Sequence, residues 1–305
     1  MPISVGVVGT GWVGASVAIS TLHGGFASEL LLADARHDVA EGEAMDLAQG
    51  AAFYTTASVR AVSIDEMLDT DALVLSAGRG GKPNESRLDL LRDNARILSE
   101  LGAKLRGYRG LVVVVTNPVD VLTYVVAESS GLPPERVMGS GTMLDTARLR
   151  QVLGHELSVD PHSVHAQVVG EHGDSEVVLW SSAHVGGVLL REWPGWSPER
   201  EQPIATEVRT AAYEIIKRKG ATNHAIGLTT AALLRSALRG ERRVLTVSRV
   251  QTGALGLRGV ALSLPTVVDA RGAVDVLPAK LDAAERAALD RSADVLRNAI
   301  ASLRA

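Results

Sequence analysis

The 305-residue chain contains no cysteine. Disulfides, thiolate catalysis and Cys-ligated zinc are therefore excluded, and the composition fits a reducing cytoplasm. No run of basic residues offsets a formal charge of −4, which argues against nucleic acid or an acidic membrane surface as a partner. No apolar stretch is long and uninterrupted enough to span a bilayer, and a core strand is expected from Ile3 onward, which leaves no room for a signal peptide. Repeats, low-complexity segments and Pro-rich or Ser-rich linkers are also lacking. None of the eight histidines shows H-x-x-x-H spacing, and His165 and His172 are seven apart, so no metal site is expected. What is present is 46% hydrophobic residues, enough for a large core and for two domains sharing a cleft.

The run I-S-V-G-V-V from Ile3 reads as a buried parallel strand and leads directly into G-T-G-W-V-G, with Gly9, Gly11 and Gly14. Glycines at this spacing allow a tight turn, close approach of a pyrophosphate, and close packing of the next helix on its strand. The helix N-terminus can then receive the phosphate charge. A second strand, E-L-L-L-A-D, ends in Asp34, twenty residues beyond Gly14. A carboxylate there can accept both ribose hydroxyls of an adenosine and would repel a 2′-phosphate, which favours NAD over NADP.

Strand-like apolar runs alternate with helical patterns through about residue 140, with further strands expected at Val59–Val62, Ala72–Ala77 and Leu111–Thr116. The alternation predicts a Rossmann-type doubly wound parallel sheet over residues 1–140. An α+β substrate domain is expected over 141–305: strands around Val164–Val169, a long helix through Ala205–Lys219 and onward, β-rich sequence from Val244 to Val268, and a closing helix. Leu289, Leu296, Ile300 and Leu303 share one face of that last helix and read as core.

Four further segments carry chemistry. The loop A-G-R-G-G-K-P-N-E-S-R-L-D-L after the fourth strand has the composition of a mobile lid with a cationic residue, Arg87, although an ordinary solvated loop has the same composition. T-N-P-V-D places Asn117 at the carboxyl edge of the sheet, where open α/β folds bind ligands. T-M-L-D-T-A-R and G-E-H-G-D-S supply Asp145, Arg148 and His172, which together can move a proton beside an anchored anion. Taken alone, Asp145 and Arg148 at i, i+3 also fit a helix-surface ion pair, and His172 a surface loop residue.

These motifs, with A-E-G-E-A-M-D-L after Asp34, resemble the NAD-dependent L-lactate and L-malate dehydrogenases in order and spacing over essentially the whole chain. The resemblance implies that His172 exchanges a proton with the substrate oxygen, Asp145 orients and charges the imidazole, and Arg148 grips the substrate carboxylate. Arg87 would polarise the carbonyl, Asn117 would contact both substrate and nicotinamide, and Gly78 would join Gly9, Gly11, Gly14 and Asp34 in holding NAD. In this family the lid residue six before that arginine is typically Gln in lactate enzymes and Arg in malate enzymes; here it is Gly81. Neighbouring Lys82 or Arg79 is left as a reader of a second carboxylate. Thr222 in K-G-A-T-N-H, which matches the methyl-pocket threonine of lactate enzymes, and the stretch around Trp180 favour L-lactate. L-Malate, a broader set of 2-hydroxy acids, and a non-catalytic NAD binder are the alternatives. Arg150 and His165 match residues that bind fructose 1,6-bisphosphate across a subunit interface in activated bacterial relatives, though they also fit an interface ion pair or surface residues. The resemblance further implies a homo-oligomer, tetramer or dimer.

Overall fold

The structure, a computed structural model, describes residues 2–80 and 87–304, with the backbone alone at Arg87. Gly81, Lys82 and the Arg87 side chain thus lie outside the described residues.

Six strands of the first half pair in parallel: β1 (Ser4–Val8), β2 (Glu29–Ala33), β3 (Ser58–Ala61), β4 (Ala72–Leu75), β5 (Leu111–Val114) and β6 (Val137–Gly139), in the spatial order β3-β2-β1-β4-β5-β6. Their uninterrupted apolar sequences follow from burial on both faces. Leu111 and Val113 of β5 join one core cluster while Val112 and Val114 join the other; Leu30 and Leu32 of β2 are likewise separated from Leu31 and Ala33. Side chains alternate across a strand, so one sequence serves two cores. Helices α1 (Trp12–Gly24) and α2 (His37–Gln49) cover the first face with Val17, Leu22, Ala44 and Leu47. Helices α3 (Arg87–Lys104) and α4 (Val119–Ser130) cover the second with Leu91, Leu98, Leu122 and Val126. Each fully buried leucine contributes about 1.5–3 kcal/mol through loss of apolar surface. The doubly wound parallel sheet expected from the alternation is the one found.

The second half begins with α5 (Met143–Leu157). It continues through the short strands β7 (Val164–His165), β8 (Val168–Val169), β9 (Val177–Val178), β10 (His184–Val185) and β11 (Val188–Leu189). The long helix expected beyond Lys219 is two helices, α6 (Glu201–Lys219) and α7 (His224–Leu238). Gly220, at φ 89°, takes a left-handed conformation that ends the first of them. The β-rich stretch forms β12 (Arg243–Thr252), β13 (Arg258–Asp269) and β14 (Gly272–Val276), and α8 (Ala283–Arg304) closes the chain.

These last three strands do not form a separate sheet. β12 pairs antiparallel with β6 at Ser248↔Gly139, so one nine-stranded sheet runs through both halves. On it α8 buries Leu289, Leu296 and Ile300 in the same cluster as Val112 and Val114, with Leu303 half-buried beside them. A third cluster, with Leu149, Leu153, Val164, Ile204 and Val208, fixes α5 against β7 and α6. That packing places the start of α5 near the carboxyl ends of the parallel strands, where Asn117 follows β5.

Candidate active site

Each glycine of the fingerprint has its own reason to be there. Gly9 sits at φ 94°, and a Cβ on it would stand 2.6 Å from the backbone nitrogen of Ala77. On Gly14 a Cβ would meet the Gly9 carbonyl oxygen at 1.9 Å, so only glycine lets α1 lie this close to its strand. At Gly11 nothing lies within 4 Å, which leaves that face open to a ligand. Gly11 is also the N-cap of α1, with no side-chain capping bond and no acidic residue in the first turn, so its amide groups face no internal anion. Such a cradle fits a dinucleotide pyrophosphate.

Asp34 follows β2, half-buried. Its Oδ2 accepts from the Thr10 backbone N–H at 2.8 Å and its Oδ1 from that of Arg36 at 3.1 Å. The carboxylate thereby braces the glycine loop and remains at the strand end where a ribose would lie. Gly78, after β4, is packed so that a Cβ would stand 2.6 Å from Thr116 Cγ2.

The residues of the two later motifs converge. Asp145, 2% exposed in the first turn of α5, accepts from Arg148 Nη1 at 2.8 Å with Oδ1 and meets His172 Nδ1 at 2.5 Å with Oδ2. Burial opposes charge on Asp145, but His172 and Arg148 outweigh it and hold the carboxyl below its ordinary range. Burial likewise pulls the His172 imidazole down, yet the paired Asp145 more than offsets this and raises it to about 9. With Nδ1 turned to the carboxylate, Nε2 is the ring nitrogen left to exchange a proton. Glu176, four residues on and 7% exposed, is pushed up to about 8 by burial and by the charge of Asp145.

Asn117 is exposed beyond β5, and its Oδ1 accepts from the Val119 N–H at 3.3 Å, which leaves Nδ2 to donate outward. Sequence reasoning passed over the residue that holds this region: Asn94 of α3, 2% exposed. Asn94 Nδ2 donates to the carbonyl oxygens of Asn117 and Arg79 at 3.2 and 3.3 Å, while its Oδ1 accepts from the Arg79 N–H at 2.9 Å. An asparagine two turns into a helix carries no signal of this in one sequence. Arg79 pairs with Asp93 at 2.7 Å through both Nε and Nη2, which weakens it as a reader of a second carboxylate.

Thr222 is half-buried in the loop between α6 and α7, and the adjacent Asn223 donates to Ser16 Oγ of α1 at 2.9 Å. That bond ties the Thr222 loop to the glycine-rich helix. Arg150 points away from Arg148: its Nε donates to the Ala166 carbonyl at 3.1 Å, and it lines a cavity of about 290 Å³ with Arg243, His162 and Gln167. His165 lies beside that carbonyl in sequence, its ring stacked on His184 at 4.9 Å.

Residues 3–139 match the lactate/malate dehydrogenase NAD binding domain, and residues 142–305 match the lactate/malate dehydrogenase alpha/beta C-terminal domain. The L-lactate dehydrogenases of Geobacillus kaustophilus and Moorella thermoacetica are each 43% identical to it; the matches cover 97% and 99% of this chain and 96% and 98% of the relatives. The crystal structure of the minor L-lactate dehydrogenase of Enterococcus mundtii, 38% identical, superposes with a TM-score of 0.96 over 99% of this chain and 98% of that one. The glycine cradle, the Asp145–His172–Arg148 cluster and the matches over both halves lead to one assignment: the chain belongs to the lactate/malate dehydrogenase family.

Proposed function

We propose that this chain is an NAD-dependent L-lactate dehydrogenase, interconverting pyruvate and L-lactate. The observation that carries the reading is the division of Asp145 between two partners, His172 at 2.5 Å and Arg148 at 2.8 Å, which sets a proton carrier beside an anion-binding guanidinium. NADH, when bound along Gly9, Gly11, Gly14, Asp34 and Gly78, supplies the hydride. Arg148 holds the substrate carboxylate with the donors that Asp145 does not use. His172 gives its Nε2 proton to the carbonyl oxygen as that oxygen gains charge, and Asp145 stabilises the imidazolium until then. Asn117 Nδ2 donates to the same oxygen, and the family resemblance gives Arg87 the role of polarising it. In the reverse direction neutral His172 takes the hydroxyl proton.

Pyruvate is favoured as substrate because Thr222 suits a methyl group and Arg79 is already paired with Asp93. The test is NADH oxidation with pyruvate and oxaloacetate in parallel, each with the parent and with His172→Asn. The expected result is a strong pyruvate preference and a loss of about 10²–10⁴-fold in the variant, with NADH affinity retained. Preference for oxaloacetate would replace the lactate assignment with malate.

We further propose that Arg150 binds fructose 1,6-bisphosphate, with Arg243 and His162 lining its cavity and His165 outside that lining. Burial and the neighbouring Arg243 both lower the Arg150 pKa, a crowding of cations that a phosphate would relieve. Sigmoidal pyruvate dependence that becomes hyperbolic with the bisphosphate is expected, and unchanged kinetics would dispose of the site. Assembly as a homotetramer is supported by exposed apolar side chains at Trp12, Met45, Phe53 and Leu228. No helix among the described residues is long and apolar enough to cross a membrane.

A further inference from the structure

Asp120 stands in the first turn of α4, three residues after Asn117, and is 1% exposed. Its Oδ2 accepts from the backbone N–H of His172 at 2.7 Å, a contact between residues 52 apart in sequence. The other oxygen, Oδ1, is buried without a hydrogen-bond partner among the described residues. A carboxylate this deeply buried is costly, and the N-terminus of α4 offsets only part of the cost. Its hydrogen bond at 2.7 Å goes to the loop that carries the catalytic imidazole, and the Ser248 hydroxyl of β12 is its other polar neighbour.

We propose that Asp120 is a positioning residue for hydride transfer: through the His172 N–H it locks the G-E-H-G-D-S loop onto the helix that starts at Asn117, so that proton carrier and substrate-facing amide are held as one body. The inference rests on His172 being the proton carrier. Two helix N-termini then hold one histidine, α5 through the ring with Asp145 and α4 through the backbone with Asp120. The Asp120 charge also acts on the ring. Burial pushes its carboxyl up to about 6, so it is ionised throughout the alkaline range where His172 titrates. The charged groups facing the ring and Asp120 are Asp145 and Arg148 from α5 and Glu171 and Glu176 from the histidine loop, with the Ser248 hydroxyl from β12.

The test compares Asp120→Ala, Asp120→Asn and His172→Asn in the full chain, with rates expressed per NADH-binding site. Asp120→Ala is expected to lower kcat for pyruvate reduction about tenfold to a hundredfold through misplacement of the imidazole, with the Kd for NADH unchanged. Asp120→Asn can accept the same N–H with its amide oxygen. It should recover most of kcat while the alkaline limb of its pH profile moves to lower pH, because one negative charge beside the imidazolium is gone. Parental kcat in Asp120→Ala overturns the proposal, as does failure of Asp120→Asn to restore turnover. If Asp120→Ala does not fold, the pH profile of Asp120→Asn decides: a displaced limb supports the role and a coincident one overturns it. Parental turnover in His172→Asn would instead remove the proton-carrier assignment itself, an outcome distinct from both.

Discussion

Asp145 divides its two oxygens between Arg148 and His172, and that division sets what each partner can do. Below about pH 9 the His172 ring is an imidazolium and can protonate a carbonyl oxygen. The rate of pyruvate reduction is therefore expected to fall as pH rises through about 9, while lactate oxidation, which needs the neutral ring, rises over the same range. Initial rates in both directions across pH 6 to 10 check this; a flat reduction profile would contradict the pairing. Arg148→Lys keeps the charge and loses the planar fork. Losing a charge-assisted hydrogen bond of about 1.5–3 kcal/mol predicts a rise in KM for pyruvate of roughly tenfold to a hundredfold, which saturation kinetics would measure.

At the scale of elements, the turn from β1 into α1 separates two functions that the fingerprint joins. Gly14→Ala drives a methyl group into the Gly9 carbonyl oxygen and should lower stability by about 1–3 kcal/mol through overpacking. Gly11→Ala meets nothing within 4 Å and should leave Tm unchanged while weakening NADH binding. Thermal unfolding and fluorescence titration of the two variants test the separation. Equal loss of Tm in both would refute it. The sequence made this turn legible because its constraints are local: three glycines, one strand, one helix. The parallel strands were equally legible, since burial on both faces leaves continuous apolar runs such as Leu111–Val114. The pairing of β12 with β6 was not, because Ser248↔Gly139 joins residues with no shared periodicity. Asp145, Arg148 and His172 were readable as motifs. Asp120 carries no such signal, because its partner lies 52 residues further along the chain.

For the molecule as a whole, the nine-stranded sheet makes the two halves mutually dependent. Residues 1–140 expressed alone would leave β6 as an open edge without β12 and would strip α8 from the cluster around Val112 and Val114. That fragment is expected to aggregate, and a soluble monomer by light scattering would show that the shared sheet is dispensable. Isotope exchange turns the same continuity into a timescale. The amides of Val113 in β5, Met138 in β6, Val247 in β12 and Leu262 in β13 belong to residues with 0% exposure in adjoining strands. They should wait for the same rare global opening. Deuterium should then reach the dinucleotide half and the substrate half with one common slow lifetime.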